Sequence, residues 1–293
     1  MAFNFATFKT RSLSAILFVV VMLAGLLLNH WSFFILFTII HFGCWYEYRR
    51  LVEKIDPAYK EISLFHRAVV PLLGFCLMLY VTNHAFDIGS LSLHSLGWWL
   101  GLLLVLILPL GELLLARKTG PRQYFHSLFG FVYISLSWAL MIDLRCRGMA
   151  VTPGGRVIFD AGLIVPLVLI ASIWINDTMA YIVGSLIGKT PFSPISPKKT
   201  WEGTIGGAIL AVAVVTLVGY YLVGVKEAWG LIAISSIAAV FGTLGDLFES
   251  KLKRMAGVKD SGTILPGHGG FLDRFDSLLF ATPLTWLYFV LFY

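Results

Sequence analysis

Nine apolar runs set the terms for this chain. With edges loose by a few residues, they cover 13–28, 30–47, 68–86, 96–115, 125–143, 160–187, 202–224, 229–249 and 276–292. A bilayer core takes about 20 mostly apolar residues per helix, and a water-soluble domain has no use for so many such segments. Composition agrees: 58% of the residues are hydrophobic and 13% charged, against about 45–50% and about 25% in soluble proteins. The mean hydropathy of +0.84 makes lipid the main solvent. A disordered chain and an ordinary soluble enzyme are both excluded. The sequence predicts an all-α, polytopic integral membrane protein with nine spans. No polar linker sets off a soluble domain and no repeat of about 20–50 residues is visible. We therefore expect one membrane domain, with an N-terminal multi-span region at 1–150 and a C-terminal catalytic region at 151–293.

The net charge of +6 would suggest nucleic acid in a soluble protein; in a membrane protein it reports orientation, and no nucleic-acid partner is expected. With the N-terminus inside, the inside connections hold 18 of the 22 Lys and Arg residues and the outside connections hold 4. By the positive-inside rule this predicts a cytoplasmic N-terminus and an external C-terminus. Lys9 and Arg11 precede the first run as in a signal peptide. The second run follows at once without a clear A-x-A site, so the first is read as an uncleaved span. Short loops and modest length point to a bacterial inner membrane. Cys44, Cys76 and Cys146 form no CxxC pair and read as small apolar side chains.

The first half is chemically quiet. Glu112 lies in an apolar run with Arg117 and Lys118 close behind; a carboxylate near a helix end can reach headgroups or pair with a cation. His30, His41, His66, His84 and His94 share no ligand spacing and read as packing or interfacial residues. Segment 47–67 reads as a charged, partly helical inside loop whose solvated face needs no chemistry.

The second half differs. Asn176 and Asp177 sit inside the run 160–187, and ten residues separate Asp177 from its inner end, a depth of about 15 Å in a helix. An ionised carboxylate in lipid costs several kcal/mol, so Asp177 should face a polar cavity or a partner. Gly184-xxx-Gly188 is a motif for close helix approach. Next comes a proline-rich inside loop, Pro191 to Gly203, with Ser196, Lys198, Lys199, Thr200 and Glu202. Its prolines stop the preceding helix; its hydroxyls and cations lie just before a helix N-terminus, whose free N–H groups suit phosphate. A third cluster begins with Asp246 and Ser250, four apart on one helix face. Lys251, Lys253, Arg254, Lys259 and Asp260 follow, then the turn Pro266-Gly267-His268-Gly269-Gly270, then Asp273, Arg274 and Asp276. Carboxylates among so many cations, beside a turn of bare N–H groups, have one economical reading. The carboxylates hold a hard divalent cation, magnesium first, while cations and N–H groups hold phosphates. All three clusters fall on the inner side, open to a soluble anion and to a lipid headgroup.

The stretch Ser250-x-Leu252-Lys253-Arg254-xxxx-Lys259-Asp260-x-Gly262-xx-Leu265-Pro266-x-His268-Gly269-Gly270-Phe271-x-Asp273-Arg274-Phe275-Asp276 resembles the signature of the phosphatidate cytidylyltransferase (CDP-diacylglycerol synthase) family, without departure over its 27 positions. Asp177-Thr178-x-Ala180-Tyr181, with Gly184, Gly188 and Lys189, and Ser196-Pro197-Lys198-Lys199-Thr200-x-Glu202-Gly203 resemble the same family. The resemblance covers about residues 160–293; the first 150 match only as a hydrophobic multi-span region. It implies the reaction CTP + phosphatidate → CDP-diacylglycerol + pyrophosphate, with Asp246 and Asp273 holding Mg²⁺ and Asp276 supporting them. Lys253, Arg254 and Arg274 would hold the lipid phosphate or the triphosphate, Lys198 and Lys199 the nucleotide, and His268 would donate a hydrogen bond. Ser196, Thr200, Glu202, Ser250, Lys259, Gly269, Gly270 and Asp177 complete the expected substrate site. A second cation such as K⁺ and a homodimer are also implied.

Two other readings compete. The same chemistry could act on an ether or isoprenoid lipid phosphate, because the acceptor groove is not legible in the sequence. An ion-coupled transporter would also place Asp177 in a span, but the polar residues gather on one side and not at the midplane. The DG-xx-AR…G-xxx-D-xxx-D pattern expected of a CDP-alcohol phosphotransferase is absent.

Overall fold

In lipid an apolar segment must satisfy every backbone N–H and C=O within itself, which helix does. The computed structural model describes residues 5–115, 120–151, 157–263 and 269–293, and each apolar run is mostly helix. The long helices are α1 (Phe5–Leu27), α2 (His30–Ile55), α3 (Leu64–Tyr80), α4 (Leu93–Leu115), α5 (Pro121–Cys146), α6 (Ala161–Ile187), α7 (Trp201–Val223), α8 (Ala228–Met255) and α9 (Leu272–Phe292). Among the described residues, six of them, α4 to α9, are long and apolar enough to cross a membrane. The chain is thus a mostly helical integral membrane protein. Two of the other three fall short for visible reasons: α3 has 17 residues, and α2 turns charged after Glu47.

Two short antiparallel hairpins amend the all-α expectation. One pairs β1 (Met149–Val151) with β2 (Val157–Asp160); the other pairs β3 (Pro191–Ser193) with β4 (Ser196–Thr200). The second falls on the proline-rich loop. Proline lacks an N–H and fixes φ, which forbids a helix interior but tolerates an edge strand.

The chain divides into two compact units: Met1–Ile142 with Leu252–Phe275, and Asp143–Lys251 with Asp276–Tyr293. In the first, Phe37, Ile134, Trp138 and Met141 are fully buried, and Trp138 meets Phe275 edge-on with centroids 5.7 Å apart. Cys44 and Cys76 are buried and Cys146 is half-buried, none in a disulfide, as small apolar side chains should be. The histidines pack or hydrogen-bond as expected: His41 Nε2 lies 3.0 Å from Ser135 Oγ, and His30 packs edge-on against Phe86.

Among the described residues, Glu112 is held by side chains of the first unit. It is buried, accepts the Tyr124 hydroxyl at 3.0 Å and the Ser63 hydroxyl at 3.3 Å, and lies 3.0 Å from His66 Nδ1. Arg117 and Lys118 lie outside the described residues. The network extends through Ser127, 2.7 Å from His66 Nε2 and 2.8 Å from the Tyr59 hydroxyl. Burial pushes the Tyr59 phenol above its ordinary range, so it stays neutral. Interhelical hydrogen bonds in membranes average about 0.6 kcal/mol, whereas a buried polar group left unsatisfied costs about 1–3 kcal/mol. The network therefore acts mainly by disfavouring other packings.

In the second unit α6 and α7 touch through glycine, which lets backbones approach where lipid supplies no hydrophobic drive. A Cβ on Gly207 would meet the Ala180 backbone N at 2.5 Å, and one on Gly203 would meet the Gly184 Cα at 2.8 Å. The packing role read for Gly184 and Gly188 holds: a Cβ on Gly188 would meet Thr200 Oγ1 at 2.5 Å.

Candidate active site

Gly188 ends α6, and the chain turns into the β3–β4 hairpin. Two side chains of the expected site fix this turn. Thr200 caps α7 by accepting the Gly203 N–H at 3.1 Å. Glu202, in the first turn of α7, accepts the Lys189 and Thr190 N–H groups at 3.1 Å each and the Thr190 hydroxyl at 2.7 Å. The hairpin is thereby tied to both helices it joins.

That geometry leaves a cavity of about 460 Å³ within the second unit, inside the range of about 300–1,000 Å³ usual for ligand pockets. One face of α6 contributes Asn176, Asp177, Tyr181, Gly184 and Ser185; the hairpin contributes Ser196, Lys198, Lys199 and Thr200; Thr204, Thr243 and Asp246 complete it. Asp177, exposed in this structure, is one of the residues that line the cavity. Lys199 Nζ forms an ion pair with the Asp246 carboxylate, and Ser250 Oγ donates to Asp246 Oδ1 at 3.3 Å.

Asp246 belongs to a second grouping. One oxygen each from Asp246, Glu249 and Asp276 lie within 4.8 Å of one another, and Glu249 and Asp276 are buried. Gly245 makes this possible: a Cβ there would meet the Asp276 carbonyl oxygen at 2.5 Å, so only glycine lets α8 and α9 approach so closely. Carboxylates held this close repel and call for positive charge. Lys199 supplies one charge. A set of hard oxygens in this arrangement also suits a divalent cation.

Asp273 lies in the first unit and is held by donors on both oxygens. Lys253 Nζ reaches Oδ1 at 2.6 Å. Oδ2 accepts the Ser261 N–H at 2.9 Å, the Ser261 hydroxyl at 2.9 Å and the Gly270 N–H at 2.8 Å. Gly269, at φ 82°, is placed where a Cβ would meet Asp273 Oδ2 at 2.6 Å. The glycine turn does bring a bare N–H to an anion, and the anion is the chain's own Asp273. His268, with Pro266 and Gly267, lies outside the described residues.

The structure thus gathers Asp177, Ser196, Lys198, Lys199, Thr200 and Asp246 around one cavity, joins Asp246 to Asp276, and joins Asp273 to Lys253, Gly269 and Gly270. Arg254 and Lys259 are exposed, with Arg254 donating to the Val258 carbonyl at 3.4 Å. Arg274 is exposed beside an apolar groove lined by Phe18, Leu36 and Phe271.

Sequence reasoning missed two carboxylates. Glu249 had a signal, since it lies three residues after Asp246 and so on the same helix face as Ser250. Glu47 had none. It was assigned to a solvated charged face but is 1% exposed, and it accepts hydrogen bonds from Ser261, Phe271 and Leu272.

The cytidylyltransferase family matches residues 9–292. The chain is 33% identical over 283 residues to the phosphatidate cytidylyltransferase of Staphylococcus saprophyticus, covering 94% of this chain and 96% of that protein. It is 48% identical over 158 residues to the phosphatidate cytidylyltransferase of Staphylococcus aureus, 54% of this chain and 55% of that one. It is 36% identical over 187 residues to the chloroplastic phosphatidate cytidylyltransferase 4 of Arabidopsis thaliana, 59% of this chain and about half, 48%, of that protein's length.

Proposed function

Because the chain belongs to the cytidylyltransferase family, we propose that it transfers the cytidylyl group of CTP to phosphatidate, giving CDP-diacylglycerol and pyrophosphate for phospholipid synthesis. The observation that carries this reading is the ligand-sized cavity in which Lys198, Lys199 and Asp246 meet beside Asp177.

The chemistry asks little of a base. A phosphatidate oxygen is already anionic; it forms a bond to the α-phosphorus of CTP as the bond to the β-phosphate oxygen breaks. The obstacle is bringing one anion onto another, so catalysis consists of charge neutralisation and in-line positioning. Lys198 and Lys199 hold the triphosphate, with Ser196 and Thr200 donating hydroxyl hydrogen bonds. Asp246 keeps the Lys199 ammonium aimed into the cavity. Lys253, Arg254 and Arg274 take the phosphate-binding roles that the signature implies.

Asp246, Glu249 and Asp276 fit a divalent cation by donor type and mutual spacing. We assign them to Mg²⁺, and Asp273 keeps the metal role implied by its place in the signature; a second cation such as K⁺ belongs to the same proposal. When bound, the metal would neutralise phosphate oxygens and ease the departure of pyrophosphate. The Lys and Arg asymmetry supports nine spans, a cytoplasmic N-terminus, an external C-terminus and a reaction at the cytoplasmic face of a bacterial inner membrane. A homodimer follows from the family resemblance.

The test is turnover by purified protein in detergent with labelled CTP, Mg²⁺ and a panel of lipid phosphates. Phosphatidate should be converted without any ion gradient. Preference for an isoprenoid or ether lipid phosphate would change the acceptor, and no product with any acceptor would remove the assignment.

A further inference from the structure

Glu47 sits in α2, 1% exposed, and its carboxylate meets a segment more than two hundred residues away. Oε1 accepts the Phe271 N–H at 2.9 Å; Oε2 accepts the Leu272 N–H at 2.9 Å and the Ser261 hydroxyl at 2.7 Å. The two N–H groups belong to the N-terminus of α9, where backbone donors have no acceptor inside the helix. A carboxylate also suits the positive end of the helix dipole. The backbone is shaped to receive it. A Cβ on Gly262 would meet Glu47 Oε1 at 2.1 Å, and one on Gly270 would meet it at 2.2 Å, so these glycines admit the carboxylate where any side chain would exclude it.

The same segment holds Asp273. The Ser261 hydroxyl lies between the two carboxylates, 2.7 Å from Glu47 Oε2 and 2.9 Å from Asp273 Oδ2. It has one proton and can donate to only one of them at a time. Asp273 also accepts the N–H groups of Ser261 and Gly270. A helix start needs only a local Ser, Thr, Asn or Asp cap. Burying a full carboxylate for this purpose is costly unless its lone pairs are satisfied, and here three donors satisfy them.

We propose that Glu47 is a positioning residue for the reaction. By holding Ser261 and the first N–H groups of α9, it fixes the Asp273 carboxylate in the place and orientation that turnover needs. It touches no substrate. The proposal rests on the cytidylyltransferase reading for its catalytic consequence and on the hydrogen bonds alone for its structural one.

Glu47→Gln separates the two. The amide keeps the shape and one acceptor oxygen but sets an N–H₂ group against a donor. The purified variant should elute and unfold like the parent, and hydrogen exchange should speed up at residues 261–273 while the rest of the chain stays unchanged. With CTP, phosphatidate and MgCl₂, kcat should fall about 10- to 100-fold and half-saturation by Mg²⁺ should move up several-fold, as for other residues that orient a metal-side carboxylate. The KM for phosphatidate should stay put. Parent-like kcat and Mg²⁺ dependence would overturn the proposal. So would a loss of activity accompanied by faster exchange throughout and an unchanged Mg²⁺ dependence, since that describes a destabilised fold. Should the parent itself make no product, the function reading fails separately and exchange decides: local release at 261–273 upholds the hold on Asp273, and its absence overturns it.

Discussion

Lys199 and Asp246 neutralise each other across the cavity, a hairpin cation against a helix carboxylate. Both side chains are about a quarter to a third exposed, at 27% and 31%, so the pair adds little to stability. Its value lies in aim: each partner fixes where the other's charge points. Lys199→Ala should therefore leave folding intact and raise the KM for CTP roughly tenfold, the lower end of what a charged hydrogen bond supplies. The KM for phosphatidate should change little. Steady-state kinetics with each substrate varied in turn checks this, and an unchanged CTP dependence would return Lys199 to a plain surface lysine.

The carboxylates give a sharper expectation. Asp246→Asn, Asp273→Asn and Asp276→Asn should each abolish CTP-dependent product while the protein inserts and purifies normally. Glu249→Gln, at the carboxylate that completes the group with Asp246 and Asp276, should cost at least about tenfold in Mg²⁺ affinity or in kcat. Titrating the metal for each variant separates those two. Turnover retained in Asp246→Asn would remove the metal assignment, and a silent Glu249→Gln would reduce that residue to packing.

What the sequence discloses here follows from the cost of polarity in lipid. Asp177, Lys198, Lys199 and Asp246 stand out because charges in or beside apolar helices require a reason, and the cavity unites them. The Gly184 and Gly188 spacing is legible because close approach of membrane helices leaves small residues at fixed intervals. Other features leave no local trace. Segment 191–203 reads as a loop because its prolines and serines hide the alternation that marks a strand, yet residues 191–200 pair as a hairpin. Glu47 looks like the edge of a charged loop, since what buries it is a segment more than two hundred residues distant. Glu112 looks paired with the following cations, which lie outside the described residues; its partners among the described ones, His66, Ser63 and Tyr124, come from other helices and their connections.

Gly207→Leu tests whether the α6–α7 contact builds the cavity. The new side chain would begin 2.5 Å from the Ala180 backbone N, a contact that no rotamer change relieves, so the helices must part. Overpacking of this kind costs about 1–3 kcal/mol. The variant should unfold at lower temperature in detergent and bind CTP more weakly, because cavity residues lie on both helices. Normal CTP binding would mean that the cavity tolerates a change in helix spacing.

The Glu112 network offers the converse, a buried polar cluster in the first unit whose expected work is structural. Glu112→Leu removes the acceptor of the Tyr124 and Ser63 hydroxyls and the partner of His66 Nδ1. His66, buried, would lose its Nδ1 partner at a cost of about 1–3 kcal/mol, while half-buried Ser63 and exposed Tyr124 lose less, so thermal inactivation should be faster. Glu112→Gln keeps one acceptor oxygen and the side-chain volume, so it should lose less. In both, activity per folded molecule and the KM values should match the parent. The two measurements together discriminate: faster inactivation with parent-like kinetics fits a packing role. A fall in kcat in the still-folded Glu112→Gln protein would mean that His66 and Glu112 take part in turnover.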